Sequence, residues 1–355
     1  MSFRIMVTFF LLIYQAKSLR RYITWDDMKI HQDKDHAEGL SFANGDDYNG
    51  NESRVIVVDQ KGRGDSLTVQ AAVDMVPFNN SIRVKIYILP GVYKEKVMVP
   101  ASKPYISFVG DPNRASETVL SWNDKASDRY KDGSELGTYR TASVAVESDY
   151  FCATGITIEN TVVAVSGEYK KQAVALRIAG SKAAFYRVRI LGTQDTLLDE
   201  TGSHYFYRCH IQGSVDFIFG NARSLFKECS LHSVADKYGA IAAHHRNSEK
   251  EETGFSFVNC SVTGSGVAIF LGRAWGNYSR AVYSYCDIDN IIDPSGWSDW
   301  NQPWRQRTAV FGEYACRGKG ADRKKRVSWS KSLEFKEAVP FLDTDFIGGE
   351  NWLRL

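Results

Sequence analysis

Four polar side chains recur in this 355-residue chain at nearly one interval. Gln172, Gln194 and Asp216 are evenly spaced, and the step from Asp195 to Asp216 is one position shorter. If the backbone completes one structural repeat over that distance, two amides and two carboxylates converge on one face. Carboxylates held about 5 Å apart, one per repeat, cannot both ionise comfortably, so their titrations split. One keeps a proton and serves as an acid; the other is ready as a base or nucleophile. Asp216 also sits inside the apolar stretch Gly213-Ser-Val-Asp-Phe-Ile-Phe-Gly220, where a charge costs several kcal/mol unless it is paired. A single Asn, Asp or Gln on a repeating coil is as readily a structural ladder as a catalyst. Four in register, within Gln194-Asp-Thr-Leu197 and Asp216-Phe-Ile-Phe-Gly220, favour catalysis.

The elements that must position these groups repeat too. The pattern is an aromatic residue, a small residue or Cys three positions on, and an aliphatic two further on. It reads Phe151/Thr154/Ile156, Phe185/Val188/Ile190, Phe206/Cys209/Ile211, Phe226/Cys229/Leu231, Phe257/Cys260/Val262 and Tyr283/Cys286/Ile288. The steps from Phe185 to Phe206 and from Phe206 to Phe226 define the basic unit, and the longer steps on either side carry insertions. Periods near 20 with one or more strands per unit mark a solenoid, and the leucine-and-asparagine signature of leucine-rich repeats is missing. The expectation is an all-β fold, a right-handed parallel β-helix with equivalent residues stacked about 4.8 Å apart. Four of the six cysteines then share one inward column, as small core residues or with a pair such as Cys229 and Cys260 within disulfide reach. Outside the strands, Thr68 to Val76 reads as a short N-terminal helix.

The rest of the chain sets the context. Residues 1–18 carry Arg4, an apolar run from Ile5 to Tyr14 and the small-residue site Ala16-Lys17-Ser18, the form of a secretory signal peptide too short to span a bilayer. Residues 19–53 are polar, without periodicity, and are expected to be a poorly ordered arm; residues 54–355 form the main domain. The leader carries two basic residues and no acid, and 44 basic residues less those two equal the 42 acidic ones. A neutral mature chain gives no reason to expect nucleic acid, and one basic run, Arg317 to Arg326, is a solvated loop or a contact for an acidic polymer. Sequons begin at Asn51, Asn79, Asn259 and Asn277, the third overlapping an expected core strand.

Five short motifs in order give the sequence a family resemblance. Gly91-Val-Tyr-Lys-Glu95, Gln172-Ala-Val-Ala-Leu-Arg177, Gln194-Asp-Thr-Leu197, Val215-Asp-Phe-Ile-Phe-Gly-Asn221 and Leu271-Gly-Arg-Ala-Trp275 resemble the plant pectin methylesterases across residues 54 to 353. Tyr22-Ile-Thr-Trp-Asp26 and Ala242-Ala-His-His-Arg246 are most similar to the quartet-type branch, whose mature enzymes lack a long inhibitor-like pro-region. The resemblance implies a pectin-lyase-like solenoid that hydrolyses the C6 methyl ester of polygalacturonate, as a secreted protein of the cell wall. It implies Asp216 as nucleophile, Asp195 as acid and then base, Gln194 and Gln172 as oxyanion donors, and Arg273 as the partner that orients Asp216. Such an arginine keeps the buried carboxylate ionised, and neutral amides add no charge beside it. Thr138, Tyr139, Trp275 and Trp297 match positions that line the sugar groove, together with Gln172 and Arg273. Implied partners are methyl-esterified homogalacturonan and a pectinesterase-inhibitor protein. A monomer is expected, with no metal, no organic cofactor and no membrane contact after leader cleavage. Two departures stand out: Ala274 where the family carries proline, expected to loosen a turn by about 1 kcal/mol, and Leu198 where an aromatic residue is usual.

Rival chemistries lack their residues. No Gly-x-Ser-x-Gly elbow occurs, and the adjacent Ser203 and His204 make no triad. His244 and His245, neighbours on a strand, point to opposite faces and read as structural rather than metal-binding. A pectin lyase would need a compact acidic calcium cluster, and a silent pectin-binding protein would not need both aspartates and Arg273.

Overall fold

The computed structural model describes residues 22–30, 53–164 and 168–355. The expected leader, the sequon at Asn51 and most of the polar arm lie outside the described residues. Short β-branched runs form short strands separated by turns, so each coil contributes one strand to each of three parallel sheets. One coil reads Ala183–Tyr186, Arg189–Leu191 and Leu197–Asp199, and the next repeats it strand for strand as Ser203–Tyr207, His210–Gly213 and Ile218–Gly220. The sheets have 11, 8 and 8 strands, with every pairing between named strands parallel: a right-handed parallel β-helix, as expected.

The aromatic period becomes a stack through the core. Phe185, Phe206, Phe226, Phe257 and Tyr283 lie one above another with ring centroids 4.8, 4.5, 4.8 and 4.4 Å apart. The first unit is out of step: Phe185 pairs with Ala153 rather than Phe151, so the true column residue there is two positions later. The insertion between Phe151 and Phe185 obscures this in sequence. Cys209, Cys229, Cys260 and Cys286 form the expected inward column and Cys316 extends it; each thiol donates to a carbonyl of the preceding coil. All six cysteines are free, so the Cys229–Cys260 disulfide is absent.

Between the 11-stranded sheet and the next, each coil from Ala183–Tyr186 onward turns through one left-handed residue. These are Arg187, Arg208, Glu228, Asn259, Tyr285 and Ala315, with φ from 48° to 56°. Asn259 is therefore exposed at a corner between strands, not in a core strand.

The ends are tied down. The helix spans Val69–Asp74, capped by the Thr68 hydroxyl and by the Glu95 carboxylate, which accepts from the Val69 and Gln70 amides. Within the expected arm, residues 22–30 are packed on the solenoid. Ile23–Thr24 pairs in parallel with Leu353–Arg354, and Trp25 meets Tyr186 edge-on at 4.9 Å. Three cations of the basic run are consumed internally. Arg323 and Arg326 hold the buried Glu313, and Arg317 pairs with Asp287. No helix among the described residues is long and apolar enough to cross a membrane.

Candidate active site

The two aspartates occupy the same turn in successive coils, just before the strands Leu197–Asp199 and Ile218–Gly220. Gln194 bridges to Val215, and the Asp195 amide donates to the Val215 carbonyl at 3.0 Å, which sets Asp195 directly against Asp216. The acids are thus true stacking equivalents. Gln194 and Asp216 are not, because Val215 takes the place beside Gln194. Between Gln172 and Gln194 the ladder does gain a residue: the Ala175 and Leu176 amides both donate to the Thr196 carbonyl. Both aspartates are left-handed, with φ of 61° and 48°, a conformation that costs most residues about 1 kcal/mol but that Asp tolerates. Gly213 makes the turn possible, since a Cβ there would lie 2.2 Å from the Phe217 Cβ.

Arg273, two strands along the same sheet, reaches back to Asp216. Its Nε donates to Oδ1 at 2.6 Å and its Nη2 donates to Oδ2, a bidentate clamp. Trp300 lies under the guanidinium, 3.5 Å from carbon to ring centroid, and Nη1 donates to the Tyr238 hydroxyl at 3.3 Å. Burial raises the pKa of Asp216 and Arg273 opposes it; the net direction is upward, so the clamp offsets the cost of burial without cancelling it. Asp195 lacks a clamp. Burial and the adjacent Asp216 charge push it well above the usual carboxylate range. The titrations are split with Asp195 as the proton holder. The side-chain amides of Gln172 and Gln194 make no hydrogen bond to the described protein, and Gln172 Oε1 is buried without a partner. They are unspent groups beside the two acids.

The floor of the groove is the outer row of this sheet: Ala145, Arg177, Leu198, Phe219, Ala243, Arg273 and Ser298 in register. Leu198 packs there between Arg177 and Phe219. Tyr139 is exposed and covers Arg177, with guanidinium carbon to ring centroid 3.9 Å. Thr138 begins the same short 3-10 turn, whose loop is tied to the Gln172 carbonyl through Ala126. Trp275 stands on the groove wall against Phe219 and His245, at 6.0 and 4.1 Å.

Trp297 does not line the groove. It is 1% exposed, stacked on Phe311 at 4.5 Å, and its indole donates to Glu313. Its strand partner Gly272 leaves room for the ring. Trp300, three positions on, takes the place expected of it. Alternation along Trp297–Ser298, which pair with inward Gly272 and outward Arg273, carries that signal. Tyr238 has no sequence signal, because it lies in a loop outside the repeat. Ala274 is fully buried and its amide donates to Ser298 at 2.9 Å, a bond proline cannot make, so the expected loosening is countered. His244 and His245 do face opposite ways. His244 is buried, its pKa pushed down to about 3 by burial, whereas His245 opens to the groove and is not a core histidine. No group of three or more metal-ligating side chains occurs among the described residues.

A family model described as Pectinesterase matches residues 55–350. The chain is 62% identical over 347 residues to Pectinesterase QRT1 of Arabidopsis thaliana, covering 95% of this chain and 91% of that protein. It is 45% identical over 302 residues to Putative pectinesterase 11 of the same plant, covering 84% and 81%. Among solved structures it is similar to a pectin methylesterase from carrot, with TM-score 0.77 and 34% identity over 84% of this chain and 94% of that one. A pectin methylesterase from Aspergillus niger gives TM-score 0.72 and 26% identity over 85% and 95%.

Proposed function

The chain belongs to the pectinesterase family and is a carboxylic ester hydrolase, and we propose that Asp216 and Asp195 carry its reaction on the methyl esters of homogalacturonan. The observation that supports this most is the alignment of Asp195 on Asp216 in adjacent coils, with Arg273 holding one acid while burial and the neighbouring carboxylate raise the pKa of the other.

An Asp216 oxygen attacks the ester carbonyl carbon, and the carbonyl electrons move to oxygen. The free amides of Gln194 and Gln172 donate to that oxyanion. As the carbon–methoxy bond breaks, Asp195 gives its proton to the leaving oxygen and methanol departs, leaving the sugar carboxyl as an anhydride with Asp216. Asp195, now a carboxylate, takes a proton from water, and the hydroxide adds to the sugar carbonyl. The anhydride bond breaks, Asp216 leaves as a carboxylate held by Arg273, and the product is a free galacturonate. Tyr139, Trp275 and Trp300 offer flat apolar contact to the sugar faces. Secretion to the cell wall belongs to the same reading, supported by the chain's similarity to plant pectinesterases, and regulation by an inhibitor protein is proposed with it.

The test is methanol release from methyl-esterified homogalacturonan. Asp216→Asn and Asp195→Asn variants that fold with wild-type circular dichroism are expected to lose turnover by roughly 10³-fold or more. Retained turnover in either variant would sink the assignment.

A further inference from the structure

The reaction set out above moves a charge from one aspartate to the other. In the resting site Asp216 is the carboxylate, and Arg273 is bonded to both of its oxygens. Once Asp216 has become part of the anhydride it carries no charge, and Asp195, having given its proton to methanol, is the carboxylate instead. The two acids stack in adjacent coils, about 5 Å apart. Arg273 already acts on Asp195, where its charge opposes the effect of burial. A partly buried guanidinium that has lost its counter-ion is drawn to the nearest carboxylate. Pairing with Arg273 would stabilise the Asp195 anion and make it a poorer base for the water that must cleave the anhydride.

Two contacts hold the arginine without offering it a charge. Nη1 donates to the Tyr238 hydroxyl at 3.3 Å, and the Trp300 ring lies 3.5 Å from the guanidinium carbon. With Nε and Nη2 on Asp216, all three nitrogens are committed. Tyr238 lies in the loop between strands Ser230–Ser233 and Ala240–His244, its ring against Phe270 at 5.8 Å. Gly239, the next residue, runs so close to the preceding coil that a Cβ would lie 2.7 Å from the Ser214 carbonyl oxygen. Its own carbonyl accepts from the Phe270 amide at 3.0 Å, which fixes the loop beside the strand that carries Arg273. Trp300 is held in a left-handed turn, φ 60°, by Asp299, whose carboxylate accepts from the Asn301 amide at 2.9 Å and from the Gln306 side chain at 2.7 Å. Burial raises the pKa of the Tyr238 phenol and Arg273 opposes it; the net direction is upward, so the hydroxyl is a neutral acceptor.

We propose that Tyr238 is a positioning residue for the second half of the reaction: its hydroxyl keeps Arg273 on Asp216 while Asp216 is uncharged, and so leaves Asp195 free to act as base. This role rests on the covalent esterase reading above and deepens it. In the resting enzyme Asp216 holds the arginine through two bonds of its own, so the Tyr238 hydroxyl matters little until the anhydride has formed. Trp300 supplies a similar restraint but also faces the sugar, which makes Tyr238 the cleaner probe.

Hydroxylamine reads the second half directly. Its nitrogen attacks the sugar carbonyl of the anhydride and the bond to the Asp216 oxygen breaks. Asp216 leaves as a carboxylate, the nitrogen gives a proton to Asp195, and the polymer carries a hydroxamate in place of a free carboxyl. The ratio of hydroxamate to new carboxyl, counted above an enzyme-free blank, compares hydroxylamine with water at that one step, whichever step limits turnover. Hydroxylamine is the stronger nucleophile and needs less help from a base. Loss of a long bond to a charged group at a partly exposed site should therefore raise the ratio roughly three- to tenfold in Tyr238→Phe. The kcat/KM for methanol release, which reports the steps up to methanol departure, should stay within about twofold of wild type, with an unchanged melting temperature. Tyr238→Leu, which removes the ring as well, should give a ratio at least as high. A ratio in Tyr238→Phe that matches wild type overturns the role, and a fall confined to kcat/KM would limit Tyr238 to the resting clamp. Methanol release by wild type without hydroxamate at any hydroxylamine concentration overturns the covalent reading itself, and this role with it.

Discussion

Arg273→Gln is the most informative perturbation of the site. It removes both bonds of the clamp on Asp216, one of them 2.6 Å long, and leaves a carboxylate that is 6% exposed with no cation. Breaking a buried ion pair from one side costs about 3–5 kcal/mol, because the stranded charge keeps its desolvation cost. Arg273 retains some solvent access, 18% of its side chain, so the lower figure applies and about 3 kcal/mol of folding stability should be lost near neutral pH. The same electrostatics act on catalysis. Without the arginine, burial raises the Asp216 carboxyl further, and the nucleophile is protonated over more of the pH range. At the wild-type optimum, about 3 kcal/mol corresponds to roughly a 100-fold fall in kcat/KM, partly recovered by raising the pH. Urea unfolding and a pH profile of methanol release measure the two effects. The control is Asp216→Asn combined with Arg273→Gln, which should recover most of the lost stability because no charge is stranded. If Arg273→Gln keeps the wild-type pH profile, or the double variant is as unstable as the single one, the clamp performs neither task.

Asp195→Asn should remove turnover yet stabilise the fold. The folded-state pKa of Asp195 lies above its unfolded value, so the native protein binds the extra proton and stability falls as pH rises through that window. The melting-temperature gain of the variant should be absent at pH below the usual carboxylate range and should grow toward neutral pH. A gain that is constant with pH would refute the assignment of cause. Gln194→Ala should lower kcat by about 10²- to 10³-fold with little change in KM, since an oxyanion donor acts in the transition state; equal loss through KM would contradict it. Trp297→Ala should cost about 3–5 kcal/mol in urea unfolding, whereas Trp300→Ala should cost less stability and fall mainly in kcat/KM. The reverse ranking would return Trp297 to the groove.

The solenoid is legible in the sequence because its constraint is periodic. A flat aromatic ring per coil writes Phe185, Phe206, Phe226, Phe257 and Tyr283 into the chain at the coil length, and the polar groups inherit that period. What stays hidden is what period cannot carry. Phe151 falls out of register because a long insertion precedes Phe185, and a two-position slip keeps an apolar residue pointing inward. Trp297 and Trp300 share one short motif, and only the strand's alternation tells the inward ring from the outward one. Tyr238 reaches Arg273 from outside the sheets, where no repeat reports position. The docking of residues 22–30 depends on partners at the opposite end of the chain, which local composition does not encode.

That last contact changes what kind of object the solenoid is. Stacked coils ordinarily fray from either end, each rung loosening independently of the far one. Here the first described strand lies beside the last, Ile23 against Leu353, and Trp25 grips rings in the middle rungs. The two extremities form a clasp across the flank of the cylinder, and deleting residues 22–30 should let hydrogen exchange spread inward from the carboxyl terminus while the central rungs stay protected.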